Sequence, residues 1–150
     1  MRISILLFSL IGLTLIACKK DTPTRSASIT SVKVTAWPTT NASGAPWDAT
    51  SSADLFVQLL KSDLSEVPND PLDDVVFPDA IGTIARTLIT PYRIPDPTAT
   101  YYIQLLDNDE LDADDEIGVV DFDLDNHPDQ PAVIFKTVNG ITMEIGLQWN

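Results

Sequence analysis

Thiols and imidazoles are almost absent from this sequence: Cys18 is its one cysteine and His127 its one histidine. A lone thiol has no intramolecular disulfide to make, and no Cys/His spacing of the zinc type exists. His127 stands before Pro128 in a turn with no evident partner, so it reads as a surface residue and not as a ligand or catalytic base. The six glycines form no phosphate-cradling loop, and no serine occupies a nucleophile elbow. Basic side chains are scarce as well, nine against 22 acids, for a net charge of −13. That balance argues against nucleic acid and against unaided binding to anionic lipid, because both need a basic face. Nothing here assembles catalytic chemistry, and the chain reads as non-enzymatic.

One long apolar run is present, residues 3–16, preceded by Arg2 and ending in Leu15-Ile16-Ala17-Cys18. It is shorter than the about 20 residues a stable membrane-spanning helix needs and reads as a secretory signal, residues 1–17. Leu-Ile-Ala-Cys also resembles the lipobox of bacterial lipoproteins, which implies a lipid on Cys18 as first residue of the mature chain. The only cysteine falling at that one position favours an anchor over redox chemistry. By the same resemblance, a second position free of aspartate and asparagine, here Lys19, favours the outer membrane of a bacterial envelope. Residues 18–28, with Thr22, Pro23, Thr24, Ser26 and Ser28, read as a lipidated tether. Residues 29–150 are then one domain, long enough to bury a single core.

That domain reads as strands throughout. Residues 29–36 and 54–61 alternate apolar and polar side chains, with short strands at 75–77 and 85–90. Further strands start at Tyr101 and cover 119–124, 132–138 and 141–149, the last two flanking Asn139-Gly140, a strong signal for a type I′ hairpin. Eleven prolines argue against long helices between them. Eight strands at this spacing predict an antiparallel β-sandwich. Trp37, Trp47 and Trp149 read as core or loop-base packing more readily than as sugar-stacking platforms, with Trp47 placed to shield its neighbour Asp48.

Eleven of the 22 acids fall between Asp107 and Asp129, so the charge is focused on one part of the domain. The densest part runs from Asp107 to Glu116, where seven acids with no base among them lie between the Tyr101 strand and the apolar stretch at Ile117. Asp107 and Asp109 are two apart, so an extended backbone sends both carboxylates from one face. Like charges this close raise each other's pKa and oppose closure of the loop unless a cation sits among them. Many hard oxygen ligands point to calcium, against the alternative of a solvated acidic turn. An EF-hand frame starting at Asp107 fails at Leu111, Asp112 and Gly118. The run 121–126 starts like another calcium loop, but its alternating acids with Phe122 and Leu124 describe a strand with one wet face.

A second acidic loop, Asp48 and Asp54 six residues apart before Leu55-Phe56-Val57-Gln58-Leu59, completes a pattern. It resembles that of C2 domains, the calcium-binding β-sandwiches of synaptotagmins, protein kinases C and phospholipases. Their first loop has two aspartates six apart, the second opening a strand of the form Asp-Pro-Tyr-Val-Lys-Val, here with Leu55 in place of proline. Their third loop reads Asp-x-Asp, five residues, Asp and shortly Ile-Gly, as do Asp107, Asp109, Asp115 and Ile117-Gly118. The resemblance implies a C2-like sandwich of eight strands and calcium held by Asp48, Asp54, Asp107, Asp109 and Asp115, with Asp112 completing an outer ion. A single strand before the first acidic loop fits the permuted phospholipase-type topology. The partner implied is a membrane or an envelope protein, lipid or glycan bridged by calcium, with no nucleic acid. A structural, adhesive or carbohydrate-binding sandwich without a calcium function is the competing expectation. For insertion into lipid the two acidic loops offer only Ala49 to Ala53 and one large apolar group, Leu111.

Overall fold

The computed structural model describes residues 26–48, 51–73, 75–109 and 113–150. The signal segment, Cys18 with most of its tether, Leu111 and Asp112 lie outside the described residues. Among those described, seven strands and no helix occur: β1 (Ala27–Ala36), β2 (Leu55–Leu60), β3 (Ile84–Arg93), β4 (Tyr101–Asp107), β5 (Asp115–Phe122), β6 (Val133–Val138) and β7 (Ile141–Trp149). They form a four-stranded sheet in the order β3-β1-β7-β6 and a three-stranded sheet in the order β2-β4-β5, with every pairing antiparallel.

Alternation decides the two layers. Ile141, Met143, Ile145 and Leu147 of β7 are buried at every second position, and so are Ile103 and Leu105 of β4. With Leu55, Val57 and Leu59 of β2 and Phe122 of β5 they fill the space between the sheets. Each such side chain contributes about 1.5 to 3 kcal/mol when buried. The hairpin at Asn139-Gly140 is present, with φ of 48° and 85° and Val138 paired to Ile141.

The eighth expected strand, residues 75–77, is not formed. Phe77 makes one bridge to Leu55, donating its N–H at 2.7 Å and accepting the Leu55 N–H at 3.0 Å. Pro71 and Pro78 and the left-handed Asp79 (φ 48°) leave no room for a longer ladder. Elsewhere along the β2 edge other partners stand in for a strand. The buried Asp70 carboxylate accepts the Leu59 N–H, and Leu59 O accepts the Val67 N–H at 3.1 Å. The β4–β5 pairing also reaches further into the acidic stretch than expected, so Asp115 belongs to a strand and pairs with Asp107.

Register places both acidic loops at one end. Ala36 of β1 pairs with Thr142 near the β6–β7 turn, whereas Ala27 pairs with Trp149 at the other end. One strand thus precedes the first acidic loop, as the spacing implied. Between Leu105 and Leu106 the register shifts, so that Gly118 and Glu116 are paired and Ile117 is bulged out. An added Cβ at Gly118 (φ 156°) would lie 2.8 Å from Cδ1 of the buried Ile141. Gly118→Ala is therefore expected to destabilise the fold by about 1 to 3 kcal/mol, read as a lower urea midpoint at unchanged slope. An unchanged midpoint would show that the bulge tolerates a side chain.

Candidate metal centre

Asp107 closes β4 and continues the inward face of Ile103 and Leu105, so the alternation that builds the core also drives a carboxylate into its end. It is 1% exposed. Its Oδ1 accepts the Asp54 N–H at 2.7 Å, while its Oδ2 is buried and has no hydrogen-bond partner among the described residues. Asp48 and Asp109, both half-buried, bring carboxylate oxygens to within 4.8 Å of it and of one another. For fully ionised pairs that separation costs about 3 kcal/mol each at an effective dielectric near 20. Burial, opposed by the Asp54 N–H and reinforced by the charges of Asp48, Asp109 and Asp54, pushes the Asp107 carboxyl up to about 6.

The first loop is held by its own bonds. Asn41 Oδ1 accepts the N–H groups of Ser43 and Ala45 and the Ser43 hydroxyl, Thr40 bridges Pro46, and the Trp47 indole N–H donates to Pro38 O at 2.8 Å. This compact arm carries Asp48 to the cluster. The third loop is shaped by Asp114, whose Oδ1 accepts the Asp109 N–H at 3.2 Å and the Asn108 side-chain amide at 3.4 Å.

Of the six aspartates expected as ligands, three converge: Asp48, Asp107 and Asp109. Asp54 stands beside them as a connector. Its N–H goes to Asp107, its C=O accepts the Asn108 N–H at 2.7 Å, and its Oδ1 accepts the Asp79 N–H at 2.6 Å. Asp115 is paired with Asp107 across the strands but is exposed and outside the group of three. Asp112 lies outside the described residues.

The sequence reading missed a further loop at this end, residues 78–83. It is tied to the first through Asp79 and through the Ala80 N–H, which donates to Ala53 O at 2.9 Å. Its Ile81 is 84% exposed, a large apolar side chain that lies outside the two acidic loops. Pro-Asp-Ala-Ile-Gly announces a turn, but no local signal reports that this turn lies against Asp54.

No family model and no curated protein matches the sequence. Solved C2-domain structures have a similar fold. A chain carrying two C2 domains of extended-synaptotagmin 2 aligns with 99% of this chain and 48% of its own length, at 15% identity and a TM-score of 0.51. Human GIVD cytosolic phospholipase A2 in complex with methyl gamma-linolenyl fluorophosphonate aligns over 83% of this chain and 16% of its own, at 14% identity and 0.50. A C2 domain protein from Ramazzottius varieornatus aligns over 82% and 87%, at 14% identity and 0.48. This chain thus spans about half of the synaptotagmin chain and a sixth of the phospholipase. At these identities the likeness is one of fold.

The raised Asp107 carboxyl makes a pH prediction. Folded, it keeps its proton up to about pH 6; unfolded, it loses it near 3.8. The folded state binds the extra proton between those values, so stability of the cation-free protein falls as pH rises through this window and stays lower above it. The expected loss is on the order of 2 to 3 kcal/mol. Asp107→Asn removes the charge and supplies an N–H where Oδ2 lacks a partner. In chelator the variant should be the more stable protein at pH 7 and lack this part of the slope, measured by urea unfolding across pH. Parallel pH profiles for the two proteins would contradict the assignment.

Proposed function

We propose that this protein is a non-enzymatic, calcium-binding C2-like module held at a bacterial cell envelope by a lipid on Cys18. The observation that carries the calcium reading is the buried Asp107 oxygen with no hydrogen-bond partner among the described residues, facing a charge cost that Asp48 and Asp109 impose. A fold built only for stability gains nothing from a bare carboxylate at the end of its core. A divalent ion converts the same three groups from a liability into ligands.

Oxygen donors alone, several of them anionic and set on loops, suit calcium better than magnesium, which wants rigid octahedral geometry and sheds water reluctantly. In the loaded form Asp48, Asp107 and Asp109 form the shared centre. Asp54 and Asp115, at the same end of the sandwich, extend it toward a second ion with Asp112. The C2-type fold supports this use of the loops. The lipid supplies membrane residence at the outer membrane, and the calcium-loaded loops meet an envelope partner.

Calcium is expected to raise stability by binding linkage, about 2.7 kcal/mol at a hundredfold excess over Kd. Magnesium should give much less, and Asp109→Asn should remove most of the gain. The Kd is expected in the range of about 10⁻⁴ to 10⁻³ M that serves extracellular calcium modules. Equal melting temperatures in calcium and in chelator would reject the metal reading. A nanomolar Kd would retain the ion but count against a module that senses or bridges.

A further inference from the structure

A cleft of about 250 Å³ opens beside the aspartate cluster, between the first acidic loop and the 78–83 loop. Trp37, Trp47 and Ile81 give its apolar walls, and Thr39, Ser51 and Ser52 bring hydroxyls to it. None of these three hydroxyls makes a hydrogen bond among the described residues, and neither does the Trp37 indole N–H. The Trp47 N–H is committed to Pro38 O, so that residue presents its ring. No charged side chain lines the cleft among the described residues.

We infer that this cleft binds a neutral sugar ring. A pyranose has what the walls ask for: a face of C–H groups to lie on an indole and a rim of hydroxyls to exchange hydrogen bonds with Thr39, Ser51, Ser52 and the Trp37 N–H. An acyl chain in the same place strands those polar groups, each at a cost of about 1 to 3 kcal/mol when water is excluded. A phosphorylated ligand meets no base among the residues that line the cleft, and two of these, Trp47 and Ala53, are followed in the chain by Asp48 and Asp54. The volume is below the about 300 Å³ at which drug-sized pockets begin, which limits the occupant to about one ring. The inference goes beyond the calcium reading, since none of the groups named is a carboxylate.

The chain has three tryptophans, and the third is a built-in control. Trp149 lies at the opposite end of the sandwich with its N–H on Pro131 O at 2.8 Å. In ¹H–¹⁵N spectra of the full chain, glucose, galactose, mannose and N-acetylglucosamine are titrated separately into the millimolar range. At least one should move the Trp37 and Trp47 indole signals saturably and leave that of Trp149 in place, with the response retained in chelator. Trp37→Ala should abolish it, and Thr39→Val, at an exposed position that leaves packing intact, should weaken it several-fold. Four sugars without effect, movement of all three signals together, or loss of the response in chelator would overturn the proposal. So would phosphatidylcholine vesicles shifting the two signals when no sugar does. Failure of the calcium reading shows separately, in the calcium dependence of stability measured without sugar.

Discussion

The carboxylate of Asp107 is the constraint around which the acidic end of this protein is arranged. A strand that alternates buried and exposed side chains has no choice about where its last residue points. With Ile103 and Leu105 inward, Asp107 follows them. Its Oδ1 is answered by the Asp54 N–H and its Oδ2 by nothing described, while Asp109 joins it from two residues further on and Asp48 from the first acidic loop. Removing water from an ion and surrounding it with its own kind are two penalties of the same sign. They raise its pKa together, and a divalent cation relieves both.

Asp54 transmits that constraint to three loops at once. Its backbone holds Asp107 and Asn108, and its side chain holds the Asp79 N–H. Residues 77–80 are in turn laced to residues 53–55, so the 78–83 loop is not an independent flap. A cation can draw on Asp54 Oδ2 while Oδ1 holds the Asp79 N–H, so one side chain serves both the cluster and the 78–83 loop. The exposed Ile81 and the tryptophan-walled cleft are therefore mechanically close to the aspartate cluster while remaining chemically distinct from it.

Much of this is legible in the residues. Period-two burial, the Asn139-Gly140 hairpin and the proline spacing read directly as a sandwich, because a half-buried sheet writes its register into alternate positions. Asp-x-Asp after a strand predicts a shared face, and Asp107 lies buried with Asp109 in its cluster. What escapes the sequence is whatever depends on tertiary closure. Residues 75–77 look like a strand by composition, but a strand exists only if a ladder forms, and flanking prolines reduce it to one bridge at Phe77. Asp115 reads as a loop residue, whereas the bulge at Ile117 and Gly118 extends the β4–β5 ladder to it. The contribution of residues 78–83 is invisible because its contacts lie 25 positions away in sequence, at Asp54. Trp37 and Trp47 read as packing and do lie against the core, while their place on a cleft emerges only once the first loop is folded back on Pro38.

On the proposed reading, calcium replaces a proton on the buried Asp107 carboxylate. Calorimetric titration of the protein with calcium near pH 6, in two buffers of different ionisation enthalpy, measures the protons released per ion bound. With Asp107 titrating at about 6, roughly half a proton should leave per ion there and almost none at pH 8, and Asp107→Asn should bind weakly with no such release. Calcium binding of equal strength and no proton release near pH 6, or no binding heat in either buffer, would contradict the account.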